Sequence, residues 1–265
     1  MRALGTGAML GFGLSIEPQL WALIFVMIRV GAAFIAAPVF GNVSVPLPVR
    51  ITLSGAVGVL VLGSTTIQTP PTIFALATFV AVAAEALVGL AIGFIVQIAF
   101  AAPLIAGEII GGSMGIGFAN MIDPNSGRSS PAVGQFLSIL LTLLFLSLDG
   151  HLVLVDMVVK SYTALPPGAA WLAAGQMRDI ALFGGYAFMA GLLLALPVGF
   201  LLLCLNLVMG MVSRSAPSLN LFSIGLPASL AVGVVSLAIA LPAMGDYMQV
   251  IVREGLAAAQ SLVLG

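Results

Sequence analysis

Apolar residues run through this chain in long blocks, and the polar or helix-breaking positions between them mark where elements begin and end. The first block runs from about Leu20 to Phe40, interrupted by Arg29, and a proline-rich corner, APVFGNVSVPLPVR, follows it. The second spans Ile51 to Leu62 and stops at GSTTIQTPPT. The third runs from Ile73 to Ser113 with only Glu85 and Glu108 charged, and the glycine-rich stretch IGGSMGIGFANMIDPNSGRSS interrupts the apolar sequence there. A fourth goes from Ala132 to about Val159 and contains Asp149 and His151; the polar connection KSYTALPPGAAWLAAGQMRD follows. The fifth, Ile180 to Val212, is broken only by Pro197, and SRSAPSLN separates it from the sixth, Leu219 to about Ala243. The end, MGDYMQVIVREGLAAAQSLVLG, reads as a separate amphipathic helix. The pattern predicts an all-α fold of broken and kinked membrane-type helices with no β-sheet.

The block lengths do not fit simple spanning. One crossing needs about 20 residues, whereas the third block as a single helix would be roughly 60 Å long at about 1.5 Å per residue. It is therefore a hairpin, two stacked half-helices, or a helix that runs on into other protein. Pro103 is a natural break, because proline lacks the N–H and clashes with the preceding turn. Topology signals are weak as well. If each block crosses once, Arg50, Arg128 and Arg214 fall on one side and Arg2, Lys160, Arg178 and Arg253 on the other. That gives no positive-inside bias, which suits a protein inserted together with partners.

Composition turns this pattern into a class. The chain is 61% hydrophobic and only 6% charged, where a soluble domain carries about 25% charged residues. So few charges cannot cover the surface of a water-soluble fold of this size, so the chain is an integral membrane protein or a subunit buried in an apolar assembly. A net charge of −1 leaves no basic stripe for nucleic acid. A single cysteine, Cys204, and a single histidine, His151, exclude an internal disulfide and any multi-thiolate or multi-histidine metal site. No nucleotide-binding signature is present, and no cofactor is expected. The N-terminal MRALGTGAMLGFGLSIEPQLW is too glycine-rich for a good signal-peptide core and reads as a flexible or short helical lead-in.

Several residues stand out against the apolar background. Glu85, Gly89 and Gly93 are spaced by four, as are Gly107, Gly111 and Gly115. On a helix each set shares one face and lets another backbone approach closely. These faces, with Glu108, are candidates for helix packing or subunit contact. Arg29, Arg50, Asp149 and His151 are buried polar candidates, since ionisable groups inside apolar segments usually face protein or water. Structural ion pairs and helix-end contacts explain them better than a proton pathway, because the acids are sparse and do not repeat. LDGHL at 148–152 reads as a turn that breaks a helix. No Ser-His-acid constellation is evident.

The glycine-rich stretch is the most informative. Gly111, Gly112, Gly115 and Gly117 make a continuous helix costly, at roughly 0.8–1 kcal/mol each relative to alanine. Met114, Ile116, Phe118, Met121 and Ile122 make the segment apolar, Asp123-Pro124 is turn chemistry, and Ser130 before Pro131 suits a helix N-cap. An apolar, non-helical segment at membrane depth survives only where protein or a water-filled cavity surrounds it. That favours a loop lining or closing a pore.

Several stretches, taken in order and spacing, resemble the R subunit of the flagellar and type III secretion export gate, the FliR family. They are RVGAAFIAAPVFGNVSVPLPVRI, EALVGLAIGFIVQIAFAAPLIAGEIIGGSMG, FANMIDPNSG, LFLSLDGHLVL, LPPG and LPVGFLLLCLNLVMGMVSRSAPSLNLFSIGLP. The resemblance implies a non-enzymatic, all-helical subunit that assembles with P and Q subunits around a channel for unfolded flagellar export substrates. It implies a P-like portion over residues 1–178 and a Q-like helical hairpin over 179–265. It also implies an inner-membrane location at the flagellar basal body, with membrane lipid and the B and A export-apparatus subunits as further partners and part of the assembly on the periplasmic side. The family's plug loop falls on Gly111, Gly112, Ser113, Met114, Gly115, Ile116, Gly117, Phe118, Ala119, Asn120, Met121, Ile122, Asp123 and Pro124, with Met114, Phe118 and Met121 as obstructing groups. Ser218 stands where the family often has Gln, which puts one local polar contact in doubt; Asn206, Arg214 and Asn220 remain as polar positions for subunit contacts. The alternatives are the injectisome form of the same subunit and, from another class, a secondary transporter or channel with discontinuous helices.

Overall fold

A computed structural model describes residues 16–65, 67, 75–116, 132–168, 172–215 and 221–264. Every element in these residues is an α-helix: α1 (Ile16–Ala36), α2 (Leu47–Ser64), α3 (Leu76–Ala99), α4 (Ala102–Ser113), α5 (Ala132–Ser147), α6 (Gly150–Ala164), α7 (Ala174–Ser215) and α8 (Leu221–Leu264). Among the described residues, five stretches are long and apolar enough to cross a membrane: Pro18–Ala36, Leu47–Ser64, Leu76–Ser113, Ala174–Ser215 and Ile224–Val263. The α5–α6 pair adds a sixth if it is one span broken by its 64° bend. The chain divides into two compact units, Met1–Phe94 with Leu154–Gly175 and Gln260–Gly265, and Ile95–Val153 with Gln176–Ala259.

In the first unit α1 lies against α2 and α3. A side chain at Gly58 of α2 would come within 3.0 Å of Leu23 and 3.4 Å of Met27. On α3, a side chain at Gly89 would meet Ala32 at 2.9 Å, and one at Gly93 would meet the Ala37 nitrogen at 2.7 Å. The small residues thus let backbones touch, which substitutes for the hydrophobic drive that lipid does not supply between helices. Phe25, Val26, Val30, Phe34, Val61, Val88 and Ile92 fill the core. The corner after α1 is tight. Val39 has φ 70°, an uncommon conformation for a β-branched residue, and Phe40 stacks on Phe34 at 4.7 Å. Pro46 precedes α2, with a second proline inside its first turn, where the missing N–H costs nothing.

In the second unit the break expected at Pro103 is present, with proline in the first turn of α4. The third apolar block is therefore two helices in succession, α3 and α4. The turn expected at LDGHL is present too: Asp149 adopts φ 55°, a left-handed geometry its short polar side chain tolerates. The Phe145 ring fills the space a side chain at Gly150 would need, 2.5 Å away, and it meets Phe100 edge-on at 5.3 Å. Backbone contact between Gly107 and Gly134 joins α4 to α5, and Gly191 of α7 lies against Ile105.

The end of the chain differs from expectation. Instead of an apolar run stopping near Ala243 and a separate amphipathic helix, α8 is one helix of 44 residues that passes through Pro227 and Pro242. An interior proline costs about 3 kcal/mol. The buried stripe Met244, Met248, Ile251, Val252 and Ala259 continues past Pro242 at helical spacing and offsets that cost. Likewise α7 runs through Pro197 for 42 residues.

Candidate functional site

Two constructions carry the polar and glycine chemistry of the chain. The first is a buried charge cluster in the first unit. Arg29 and Glu85 are both fully buried and form a two-pronged pair, Nε to Oε2 at 2.7 Å and NH2 to Oε1 at 2.9 Å. The remaining guanidinium donors go to the Ser161 carbonyl at 2.9 Å, the Ser161 hydroxyl at 3.1 Å and the Leu165 carbonyl at 2.9 Å. All five N–H groups of arginine are thereby used. Ser161 lies in the last turn of α6 and Leu165 just past it, so Arg29 also caps that helix at the end where a cation is favoured. Its guanidinium carbon sits 4.3 Å from the centre of the Tyr162 ring, and the Tyr162 hydroxyl donates to the Val26 carbonyl at 2.7 Å. The Gly168 N–H reaches Glu85 Oε1 at 3.4 Å. Three helices and the segment after α6 thus meet at one ion pair.

The second construction is the end of α4, the root of the glycine-rich stretch. The structure corrects where that stretch leaves the helix: Gly111, Gly112 and Ser113 stay helical, and the chain turns over Met114–Ile116. The Ile116 N–H donates to the Gly111 carbonyl at 3.0 Å and the Gly115 N–H to the Gly112 carbonyl at 3.0 Å, with Gly115 at φ 79°. This is the paired capping pattern that needs a left-handed residue, and glycine adopts it without strain. The expected Gly107–Gly111–Gly115 face therefore ends early, because Gly115 is the cap and not part of the helix.

Met114 is buried, 2% exposed, and its side chain fills the space beside Gly233 of α8. The Asn206 amide on α7 donates to the Ser113 carbonyl at 3.1 Å and accepts from the Ser229 hydroxyl on α8 at 3.0 Å. Gly117, Phe118, Ala119, Asn120, Met121, Ile122, Asp123, Pro124, Ser130, Pro131 and Asn220 lie outside the described residues.

The other candidates fall apart in space or face outward. Glu108, Asp149 and Arg214 are exposed. Arg50 donates to the Asn42 carbonyl of the corner before α2. His151 is half-buried, and its Nδ1 has no hydrogen-bond partner among the described residues. No three His, Cys, Asp or Glu residues group as a metal site among the described residues.

Sequence reasoning missed Ser161, Tyr162 and Leu165, whose only signal is a helix end, and Ser229 and Gly233. The last two do carry a signal: Gly225, Ser229, Gly233 and Ser236 are small and buried at helical spacing on α8.

The model of the bacterial export proteins, family 1, matches residues 20–255. The chain is 37% identical over 227 residues to the flagellar biosynthetic protein FliR of Pectobacterium carotovorum subsp. carotovorum, covering 86% of this chain and 87% of that protein. It is 36% identical over 228 residues to the protein of the same name from Escherichia coli strain K12, covering 86% and 87%, and 35% identical over 221 residues to that of Bacillus subtilis strain 168, covering 82% and 84%. With the family model matching nearly the whole helical array, the chain belongs to the bacterial export proteins, family 1.

Proposed function

We propose that this chain is a structural, pore-forming subunit of the flagellar type III export gate, conducting unfolded export substrates across the inner membrane. The observation that carries the reading is the match to flagellar relatives over more than four-fifths of the chain. Its partners in this reading are the P and Q subunits in a hetero-oligomer, the B and A subunits of the export apparatus, the flagellar substrates and membrane lipid. Residues 1–178 form the P-like portion and 179–265 the Q-like hairpin; the long α7 and α8, joined through residues 216–220, support that division. At about 1.5 Å per residue, the 42 residues of α7 reach roughly 63 Å, about twice a hydrocarbon core of ~30 Å. That length supports an assembly extending beyond the bilayer on the periplasmic side. The subunit works as structure and not as an enzyme.

The segment 111–124 closes the channel in this reading. Its helical start and capped turn set where the seal begins. Met114 packs inside the fold, so the obstructing role falls on Phe118 and Met121. The test is to delete residues 117–124 in a complex assembled with the P and Q subunits and to measure ion leak in liposomes. The expected outcome is a leak at least tenfold above the intact complex. Intact assembly with unchanged permeability refutes the plug. A chain that is stable alone and transports a small solute refutes the gate reading in favour of a transporter.

A further inference from the structure

We infer that Met114 and Gly233, with Asn206 and Ser229, form a releasable latch that holds the C-terminal end of α4 to the α7–α8 pair and must open for export. The inference rests on the gate reading and adds a named conformational device to it.

Ile109 of α4 approaches Gly199 of α7, but the last turn of α4 has little else to hold it. Beyond buried Ile110, a side chain at Gly111 would meet only Ile116 of the same turn, at 4.0 Å, and one at Gly112 would meet nothing. Attachment then passes to Met114 and the Ser113 carbonyl. Met114 enters a notch that exists because residue 233 has no side chain: a Cβ there would sit 2.6 Å from Met114 Cγ and 3.1 Å from its sulfur. Ser229 lies one helical turn before Gly233 on the same buried face of α8. Through Asn206 it links α8 to the Ser113 carbonyl, one of the carbonyls a helix leaves without an internal partner.

The chemistry suits release. The contact is one flexible thioether side chain in a glycine notch and two hydrogen bonds between neutral groups, each of modest net strength. The Arg29–Glu85 cluster is the opposite case, a buried charge pair that cannot open without stranding an ion. A sliding of α8 along α7 would shift the Gly233 notch and the Ser229 hydroxyl together, so both halves of the latch would let go in one movement.

The test uses the full assembled apparatus in cells, with Cys204→Ser removing the native cysteine and Met114→Cys with Gly233→Cys placing two thiols across the notch. Mild oxidation is followed by mass-tagging with a maleimide polymer, and export of flagellar substrate into the medium is read before and after reduction. The expected result is a cross-link in the resting complex, export reduced at least tenfold while it is closed, and recovery on reduction. Two results overturn the latch: no cross-link in the assembled resting complex, or complete cross-linking with export within twofold of the reduced control.

A second arm tests the polar catch. Asn206→Ala is expected to raise resting ion leak several-fold, and the cross-link is expected to suppress that leak. A leak that the cross-link does not lower removes Asn206 from the latch. The deletion of residues 117–124 run in parallel separates the two ideas. If the intact assembly does not leak, the plug fails; if the chain is stable alone and transports a small solute, the gate reading fails; if the deletion leaks while the cross-link leaves export untouched, only the latch fails.

Discussion

Replacing Glu85 by glutamine tests the charge cluster with the least change of shape. Both carboxylate oxygens accept from Arg29, at 2.7 and 2.9 Å, and both residues are fully buried. Glutamine keeps one acceptor but turns an NH2 group toward the other arginine donor. It also leaves the guanidinium charge uncompensated away from water. Breaking a buried pair in this way costs about 3–5 kcal/mol. At ~2–4 °C per kcal/mol for a domain of this size, the melting midpoint should fall by about 6–20 °C. The assay is thermal unfolding in detergent followed by tryptophan fluorescence, since Trp21 lies on α1 with its ring 6.2 Å from Phe25. Arg29→Lys should fall comparably, because three ammonium donors cannot replace a five-donor planar fork. The double change Arg29→Met with Glu85→Leu should recover most of the loss, since apolar replacement of a whole buried pair is often neutral or better. It should not recover all of it, because α6 loses its cap. A Glu85→Gln midpoint within 2 °C or so of the unaltered protein would refute the assignment. So would a double variant as unstable as the single ones.

Outcomes at three glycines follow from the packing and the backbone. Gly93→Ala should strongly destabilise the fold, because the added carbon meets Ala37 nitrogen at 2.7 Å and Ala36 Cβ at 2.9 Å, backbone that cannot move aside cheaply. Gly112→Ala, with open space around it, should be neutral or gain up to about 1 kcal/mol of helix propensity; equal thermal shifts for the two would contradict the packing. Gly115→Ala should cost about 1–2 kcal/mol through its left-handed backbone and Gly115→Asn less, a ranking readable from the same melts.

Much of the fold was legible in the sequence because hydrophobic blocks and prolines report on the chain locally. Pro103 and Asp149-Gly150 marked real breaks, since a missing N–H and a left-handed backbone act within one turn. Pro197 misled for the complementary reason: it reads as a break in the fifth block, yet α7 runs through it. Whether a proline ends a helix depends on the packing on either side, and Leu194, Val198 and Leu202 stay buried across it. The candidate site divides the same way. Arg29 and Glu85 were visible as charges in apolar runs, but their pairing and the Ser161 and Leu165 carbonyls depend on how α1, α3 and α6 meet. The glycines at 111–115 suggested a break three residues too early, because propensity counts Gly111 and Gly112 against the helix while the cap at Gly115 decides where it stops.

The five-donor arginine also has a consequence for the order of biosynthesis. Arg29 precedes Glu85 by 56 residues and Ser161 by 132. At roughly 5–20 residues per second, the first acceptor is made about 3–11 s after the arginine and the second about 7–26 s after it. During that wait an arginine at the centre of a span costs about 2.5–3.5 kcal/mol on the insertion scale. The first helix therefore carries an unpaired arginine until the third helix is made, and the full set of acceptors exists only once the sixth and the residues just past it have followed.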